Sequence, residues 1–216
     1  MHQLSVAAMQ SEQMTIKLVF LAVLALTSSV EARTKALNPA DQFTLSGRVV
    51  KVVDGDTIDV LSQESPAAGA AAPPRLFTTR IRLANIDAPE SSQAFGARSR
   101  ENLASLVAGL DVHAQCLYRE RRPNIEESRQ RAICTITRSL SASGRTIDVN
   151  ELQIRDGFAR YAIGFAHQQT EAVRRSYQEA ETSARSQRLG LWRDLGSAAP
   201  PVAPWDFRKA KSGKGD

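Results

Sequence analysis

Cysteine and histidine are scarce in this chain of 216 residues, which has two cysteines and three histidines. Cys116 and Cys134 have no histidine at ligand spacing. His2 lies near the start of the chain, and His113 and His167 are isolated. This scarcity argues against a zinc site. Each cysteine lies in a strand-like run, so in an oxidising compartment we expect the two to pair in a disulfide; two buried free thiols are the alternative.

Long hydrophobic runs are lacking apart from one near the start of the chain. That run, residues 18–26, is about half of the roughly 20 residues that a membrane span requires. Lys17 precedes the run, and Val30-Glu31-Ala32 offers small residues at the positions that a signal peptidase reads. We therefore predict a signal peptide over residues 1–32 and a periplasmic or secreted product with no stable membrane span. An uncleaved anchor and a disordered leader are the alternatives.

Acidic residues are fewer than basic ones: 23 Asp and Glu against 28 Lys and Arg give a net charge of +5. Residues 1–32 contain one lysine and two glutamates, so the predicted mature chain carries +6. A positive balance favours a polyanionic partner such as nucleic acid, but it says nothing about the fold.

The hydrophobic pattern predicts an α+β domain with a β-rich first half. Strands are predicted at 44–53, 57–61, 78–85, 111–117, 131–137 and 146–149, and helices from Ser91 or Ser92 to about 110, from Asn150 to 155, and over 170–188. The buried stripe of the last helix is predicted to contain Val173, Tyr177, Ala180 and Ala184. A length of 216 residues with 42% hydrophobic content suits one core. Strands followed by an outer helix suggest a small closed or partly open barrel.

The chain therefore divides into a leader, one domain and a tail. Residues 33–43 form a lead-in, residues 44–195 the predicted domain, and residues 196–216 a tail rich in proline and basic residues. Trp205 lies in that tail, and we expect its segment to dock back on the domain. We expect a monomer.

Two short acidic segments stand out from the basic background: Val53–Thr57, which reads V-D-G-D-T, and Arg82–Glu90. Asp56 and Asp87 lie close together if the second and third strands are neighbours, which the single loop between them favours. Carboxylates of this kind suit calcium or magnesium. The alternative is that the first segment is merely a turn and the second merely a strand exit.

The second acidic segment also supplies a cation and a further acid. Arg82 precedes Asp87 by five residues and Glu90 follows it by three. In phosphoryl chemistry an arginine fork binds the non-bridging oxygens, and a carboxylate orients or deprotonates the attacking water. A plain ion pair between Arg82 and Asp87 is the alternative. The pattern favours an exported nuclease that acts on phosphodiester bonds.

These motifs resemble those of the staphylococcal nuclease (thermonuclease) family from about Leu45 to Trp192. The matching segments follow the family's order: Asp54–Thr57, Arg82–Asp87, Pro89-Glu90, the final helix and Leu189–Trp192. The resemblance implies an OB-like five-stranded β-barrel with about three helices. It also implies calcium-dependent hydrolysis of DNA and/or RNA. A non-catalytic OB-like nucleic-acid-binding module is the alternative, and the presence of all four residues Asp56, Arg82, Asp87 and Glu90 argues against it.

The resemblance also implies a role for each site residue. Asp56 and Asp87 would ligate Ca²⁺, with Asp54 in the outer shell. Arg82 and a second arginine would hold the phosphate, and Glu90 would act on the attacking water.

The second arginine is assigned by alignment with the family's Asp-x-Tyr-Gly-Arg segment. Arg131 takes the catalytic position, and Arg129 is the alternative. The family's tyrosine and glycine are absent before Arg131, so base stacking at that point is not implied. Ala88 stands where the family often has threonine, which indicates a lower affinity for metal.

Overall fold

The computed structural model of the chain describes residues 37–64, 73–121, 123–126, 130–140, 144–197 and 200–213. The predicted signal peptide and the alternative arginine, Arg129, lie outside the described residues. Within the described ranges, no helix combines the length and the apolar character needed to cross a membrane.

Eight strands occur in the described residues. They are β1 (Phe43–Val52), β2 (Thr57–Glu64), β3 (Arg75–Leu83), β4 (Ile86–Asp87), β5 (Asp111–Arg119), β6 (Ala132–Ser139), β7 (Thr146–Asp148) and β8 (Arg160–Tyr161). The six predicted strands are all found, with bounds within three residues of those expected.

The α-helices are α1 (Gly96–Val107), α2 (Val149–Arg155), α3 (Glu171–Ser186) and α4 (Pro204–Lys211). Short 3₁₀ turns lie at Pro39–Asp41, Ile163–Gln168 and Gly190–Trp192. The first three α-helices belong to the predicted domain, and α4 lies in the predicted tail.

The main sheet closes into a barrel. Its strand order is β3-β2-β1-β5-β6-β7, and β3 also pairs with β6, so β1, β2, β3, β5 and β6 form a closed five-stranded barrel. The closing pair is parallel, with Arg82 opposite Ile133. The predicted α+β fold with an OB-like barrel is therefore confirmed.

Alternation along β3 separates the core from the site. Ile81 and Leu83 are fully buried in the barrel core. Arg80 and Arg82 point to the other side because successive side chains of a strand alternate between faces. This alternation was predicted, and it places Arg82 outside the hydrophobic core at the end of β3.

Two predicted helix starts are wrong. Residues 91–95 form turns, and α1 begins after Phe95, which has a φ of 69° and no side-chain cap. The chain turns at this point because the amide of Gln93 donates to the carbonyl of Glu90 at 2.8 Å, and that of Gly96 to Gln93 at 3.0 Å. The cap of α2 is Asp148, which accepts from the amide of Glu151. Asn150, the predicted cap, is instead buried.

The last domain helix follows its prediction closely. Thr170 caps α3 by accepting from the amide of Val173. Tyr177, Ala180 and Ala184 form its buried stripe as predicted, but Val173, in the first turn of the helix, is 37% exposed.

A disulfide joins the two cysteines, as predicted. Cys116 on β5 and Cys134 on β6 lie directly opposite each other in an antiparallel pair, with a Cα–Cα distance of 3.9 Å. The bond therefore ties together the two strands whose connection carries the charged segment 120–131.

Reduction of this disulfide should destabilise the protein. We expect the free energy of unfolding to fall by about 3 kcal/mol, because an open chain regains the loop-closure entropy that the bond removes. Urea unfolding with and without reductant measures the effect. The double variant Cys116→Ala, Cys134→Ala is the control and should not respond to reductant; equal stability of the oxidised and reduced wild type would contradict the prediction.

Candidate active site

The first acidic segment is a tight turn between β1 and β2. The carboxylate of Asp54 accepts from the amide of Asp56 at 3.0 Å, which is the hydrogen bond of an Asx turn. Gly55 between them has no room for a side chain, since a Cβ there would lie 1.9 Å from the Oγ of Ser99. The turn therefore fixes Asp56 at the start of β2, where it is 4% exposed.

The second acidic segment follows the end of β3. Asn85 turns the chain with a φ of 62°, a conformation that asparagine adopts more readily than most residues. The next two residues form β4, in which Asp87 pairs with Arg160 of β8. Asp87 is thereby held beside the barrel rim and is 4% exposed.

A buried asparagine on α2 holds this strand exit in place. The Nδ2 of Asn150 donates to the carbonyls of Ala84 at 2.9 Å and Cys134 at 3.2 Å, and its Oδ1 accepts from the amide of Ile136. Sequence reasoning missed this role because a polar residue at a helix start is more often a cap.

A buried glutamine one turn further along α2 holds the first acidic segment. The Nε2 of Gln153 donates to the carbonyl of Gly55 at 2.9 Å and to that of Ser99 at 2.8 Å. Its Oε1 accepts from the Nδ2 of Asn102 at 2.9 Å. One helix therefore positions both acidic segments. No feature of the sequence pattern distinguished Gln153 from a surface residue.

The two predicted aspartates converge on one arginine. The Nη2 of Arg82 lies 2.8 Å from the Oδ1 of Asp87 and 3.2 Å from the Oδ2 of Asp56. Asp56 is further held by the amide of Ala88, which donates to its Oδ2 at 3.1 Å, and by the hydroxyl of Thr57. The strand arrangement that sequence spacing required is present, and the two carboxylates face a common point.

Burial and neighbouring charges shift the pKa values of Asp56 and Arg82 in opposite directions. Burial raises the pKa of Asp56 from its ordinary value of 3.8 to about 6, while the charge of Arg82 works against that rise. Burial lowers the pKa of Arg82, but the charges of Asp56 and Asp87 outweigh it and leave that pKa above its ordinary value. The guanidinium of Arg82 therefore stays charged, whereas ionisation of the buried Asp56 carboxylate costs free energy.

The remaining predicted residues line the same cavity, whose volume is about 390 Å³. Glu90 has a side chain that is 39% exposed. The Nε and Nη2 of Arg131 donate to the two carboxylate oxygens of Glu120 at 3.1 and 3.0 Å. Glu120 thus orients the guanidinium of Arg131 towards the cavity that both residues line.

Two aromatic residues and an arginine of the cavity wall were not predicted as part of the site. Tyr118 of β5 and Phe165 of the turn Ile163–Gln168 bring aromatic rings to its wall. Arg208 of α4 also lines the cavity, so the predicted docking of the tail is confirmed. The loss of the family's tyrosine before Arg131 had suggested that this region lacks an aromatic surface, but these two rings supply one.

The site offers oxygen ligands for a hard cation. Among the described residues, no group of three or more His, Cys, Asp or Glu side chains is arranged to hold a metal ion. A cation here would therefore have only two carboxylate ligands from the described part of the chain, Asp56 and Asp87. Backbone carbonyls and water would complete the coordination. The buried, desolvated state of Asp56 fits such a cation, because a nearby positive charge would relieve the cost of its ionisation.

The closed barrel and this rim of carboxylates and arginines define the class of phosphodiester-hydrolysing nucleases. A family model described as "Staphylococcal nuclease homologue" matches residues 80–194. "Micrococcal nuclease" of Shigella flexneri is 35% identical over 76% of this chain and 80% of its own length. An "Uncharacterized endonuclease" of Escherichia coli is 34% identical over 77% and 87%, and "Protein ParB" of Escherichia coli is 32% identical over 80% and 84%. The chain belongs to the staphylococcal nuclease family.

The raised pKa of Asp56 predicts a pH-dependent gain in stability on Asp56→Asn in cation-free buffer. The folded-state pKa of about 6 exceeds the ordinary 3.8, so the folded state binds the proton more tightly and this carboxyl destabilises the fold as pH rises from 4 to 7. The variant should therefore gain roughly 2 kcal/mol over wild type at pH 7 relative to pH 4. Chemical unfolding at both pH values measures it.

Asp111→Asn is the control, because the pKa of Asp111 is shifted in the opposite direction to that of Asp56. Asp111 is exposed, and its hydrogen bond with Arg48 lowers its pKa, so its removal should bring no gain in stability at pH 7. An Asp56→Asn variant whose stability difference from wild type is the same at pH 4 and pH 7 would contradict the burial argument.

Proposed function

We propose that the protein is an exported, calcium-dependent endonuclease that hydrolyses phosphodiester bonds of DNA and/or RNA. The observation that carries this proposal is the single nitrogen of Arg82 that contacts both Asp56 and Asp87, two almost fully buried carboxylates. Arg131 lines the same cavity, so the acids and the two arginines can act on one phosphate.

Asp56 and Asp87 are the residues that would hold the calcium ion, with Asp54 in the outer shell. Asp54 already hydrogen-bonds the amide of Asp56 and lines the cavity. When bound, the cation supplies Lewis-acid stabilisation of charge on the phosphoryl group and of its attacking nucleophile.

The two arginines act on the phosphate. Arg82 and Arg131 would donate hydrogen bonds to the non-bridging oxygens and offset the charge that builds in the transition state. Both guanidiniums are oriented in advance, Arg82 by the two aspartates and Arg131 by Glu120. Little reorganisation of these two side chains is then needed when the substrate binds.

Glu90 would take the proton of the attacking water. It lines the cavity and is partly exposed, so water reaches its carboxylate. Tyr118 and Phe165 would offer stacking surfaces to bases, which is a sequence-tolerant form of binding. A general base combined with stacking surfaces that accept any base supports broad specificity for nucleic acid.

Two features support export. The leader over residues 1–32 has the pattern of a signal peptide, and disulfides persist mainly in oxidising compartments. The destination would be the periplasm or the medium, and the mature protein would act as a monomer.

Removal of the metal tests this function. We expect the purified protein to degrade plasmid and single-stranded substrates in calcium, and a chelator to abolish cleavage, because Asp56 and Asp87 then lack their cation. Re-addition of calcium should restore activity, whereas the Asp87→Asn variant should stay inactive. Cleavage that persists in chelator would contradict the metal assignment, and binding without cleavage under every condition would favour the non-catalytic module.

A further inference from the structure

The C-terminal helix α4 places an arginine in the acidic site. The Nη2 of Arg208 lies 2.6 Å from the Oδ2 of Asp87, and its Nη1 lies 3.1 Å from the Oδ1 of the same carboxylate. The Nη1 also donates to the Oε1 of Glu90 at 2.8 Å. Arg208 is 121 residues from Asp87 in the chain, so this contact belongs to the tertiary fold.

These contacts engage both acids that the proposed reaction needs. The inference rests on the proposed function, in which Asp87 holds the cation and Glu90 receives a proton. Both oxygens of Asp87 face the Arg208 guanidinium, so a cation that binds this edge of the carboxylate has to displace it. Arg208 therefore occupies the position at which a cation would bind Asp87 and the position at which Glu90 would accept a proton.

Charge explains why an arginine settles against these acids. Asp56, Asp87 and Glu90 bring up to three negative charges, Arg82 supplies one positive charge and Arg208 supplies a second. Hydrogen bonds to Asp87 and Glu90 keep the pKa of Arg208 above its ordinary value, so its charge is permanent. A divalent cation would replace that single charge with two.

The segment that carries Arg208 is anchored to the domain just before and at the start of α4, where Ala203 and Pro204 are buried. Hydrogen bonds also hold the residues that lead into α4. The Nε2 of Gln93 donates to the carbonyl of Val202 at 2.8 Å, and Arg160 donates to the carbonyl of Pro201 at 2.8 Å. Trp205 remains 42% exposed. A helix of eight residues has little stability of its own, so loss of the Arg208 contacts should free it.

We propose that α4 is a displaceable inhibitory plug whose Arg208 mimics the cation, so that a divalent ion and Arg208 compete for Asp87. In the cation-free protein the helix closes the site. Cation binding expels Arg208, releases Glu90 and opens the cavity to nucleic acid.

Calcium titration calorimetry on the full chain tests the competition. Arg208→Gln should bind calcium roughly 10-fold more tightly than wild type, because the ion no longer displaces a guanidinium. Lys211→Gln is the matched control: it removes a basic residue of the same helix that is exposed, and it should bind as wild type does.

Hydrogen–deuterium exchange of residues 204–211 provides a readout independent of activity. Calcium should accelerate exchange of the α4 amides in wild type, and KCl of equal ionic strength should not. Unchanged exchange, or an Arg208→Gln variant that binds calcium as weakly as wild type or more weakly, would overturn the plug and leave the proposed nuclease intact. Failure of both wild type and variant to bind calcium would overturn the metal site and the plug together.

Discussion

Arg82→Ala should lower kcat on DNA by about 10³-fold in saturating calcium while the folded structure persists, which is the scale for loss of one preorganised transition-state donor. Arg82 contacts both buried aspartates and lines the cavity where the phosphate would lie. Its removal takes away a charge and the group that orients the acids. Steady-state kinetics measures the loss, and circular dichroism checks the fold.

Arg80→Ala is the matched control for that variant. Arg80 lies on the same face of β3, but it pairs with Asp59 at 2.8 Å and does not line the cavity. Its removal should leave kcat near that of wild type. Arg82→Lys adds a second test, since lysine keeps the charge and loses the fork, and it should stay well below wild type. An Arg82→Ala enzyme within 10-fold of wild type would contradict the role of Arg82.

Glu90→Gln should lower kcat by about 10²–10⁴-fold, the usual contribution of a positioned general base. Glutamine keeps the shape and the hydrogen-bonding capacity of the side chain but cannot accept the proton of water. Calcium affinity should change far less than kcat, because Asp87 and not Glu90 holds the ion in this account. Single-turnover kinetics with parallel calcium titration separates the two effects.

Glu101→Gln controls for the loss of one acidic charge outside the site. Glu101 lies exposed on α1 and is not a cavity residue, so its variant should cleave at the wild-type rate. If Glu90→Gln reduced calcium affinity and rate by the same factor, Glu90 would be a ligand and not a base.

The strands and the acidic pair were predictable because their signals are local, whereas the closed five-stranded barrel was implied only by the resemblance to the family, since β3 and β6 pair across about 50 residues. Alternation of apolar residues along β3 placed Ile81 in the core and Arg82 on the opposite face, and the D-G-D turn fixed where β2 begins. The antiparallel pairing of β2 with β3 then brings Asp56 towards the exit of β3. Short-range pattern and a single loop were enough for this part of the site.

The supporting residues were not predictable because their partners are distant in the chain. Gln153 contacts Gly55 across 98 residues, and Arg208 contacts Asp87 across 121. Neither contact leaves a periodic trace in the sequence. In the sequence, a glutamine such as Gln153 looks like a surface residue, because the backbone groups that it hydrogen-bonds are not known. An arginine in a basic tail, such as Arg208, looks like a solvent-exposed charge.

The start of α1 was missed for a related reason. Ser91 and Ser92 are good capping residues by type, but the turns from Glu90 to Gly96 carry the chain away from the acidic site before the helix begins. Phe95 packs against the cluster that contains Trp192, and this tertiary contact sets the first helical residue.

A crystal structure with calcium and a nucleotide analogue would test the metal site formed by Asp56 and Asp87. We expect one ion bound by carboxylate oxygens of both Asp56 and Asp87, and Arg82 and Arg131 in contact with the phosphate of the analogue. Calcium bound elsewhere, while both aspartates remain paired only with arginine, would contradict this assignment.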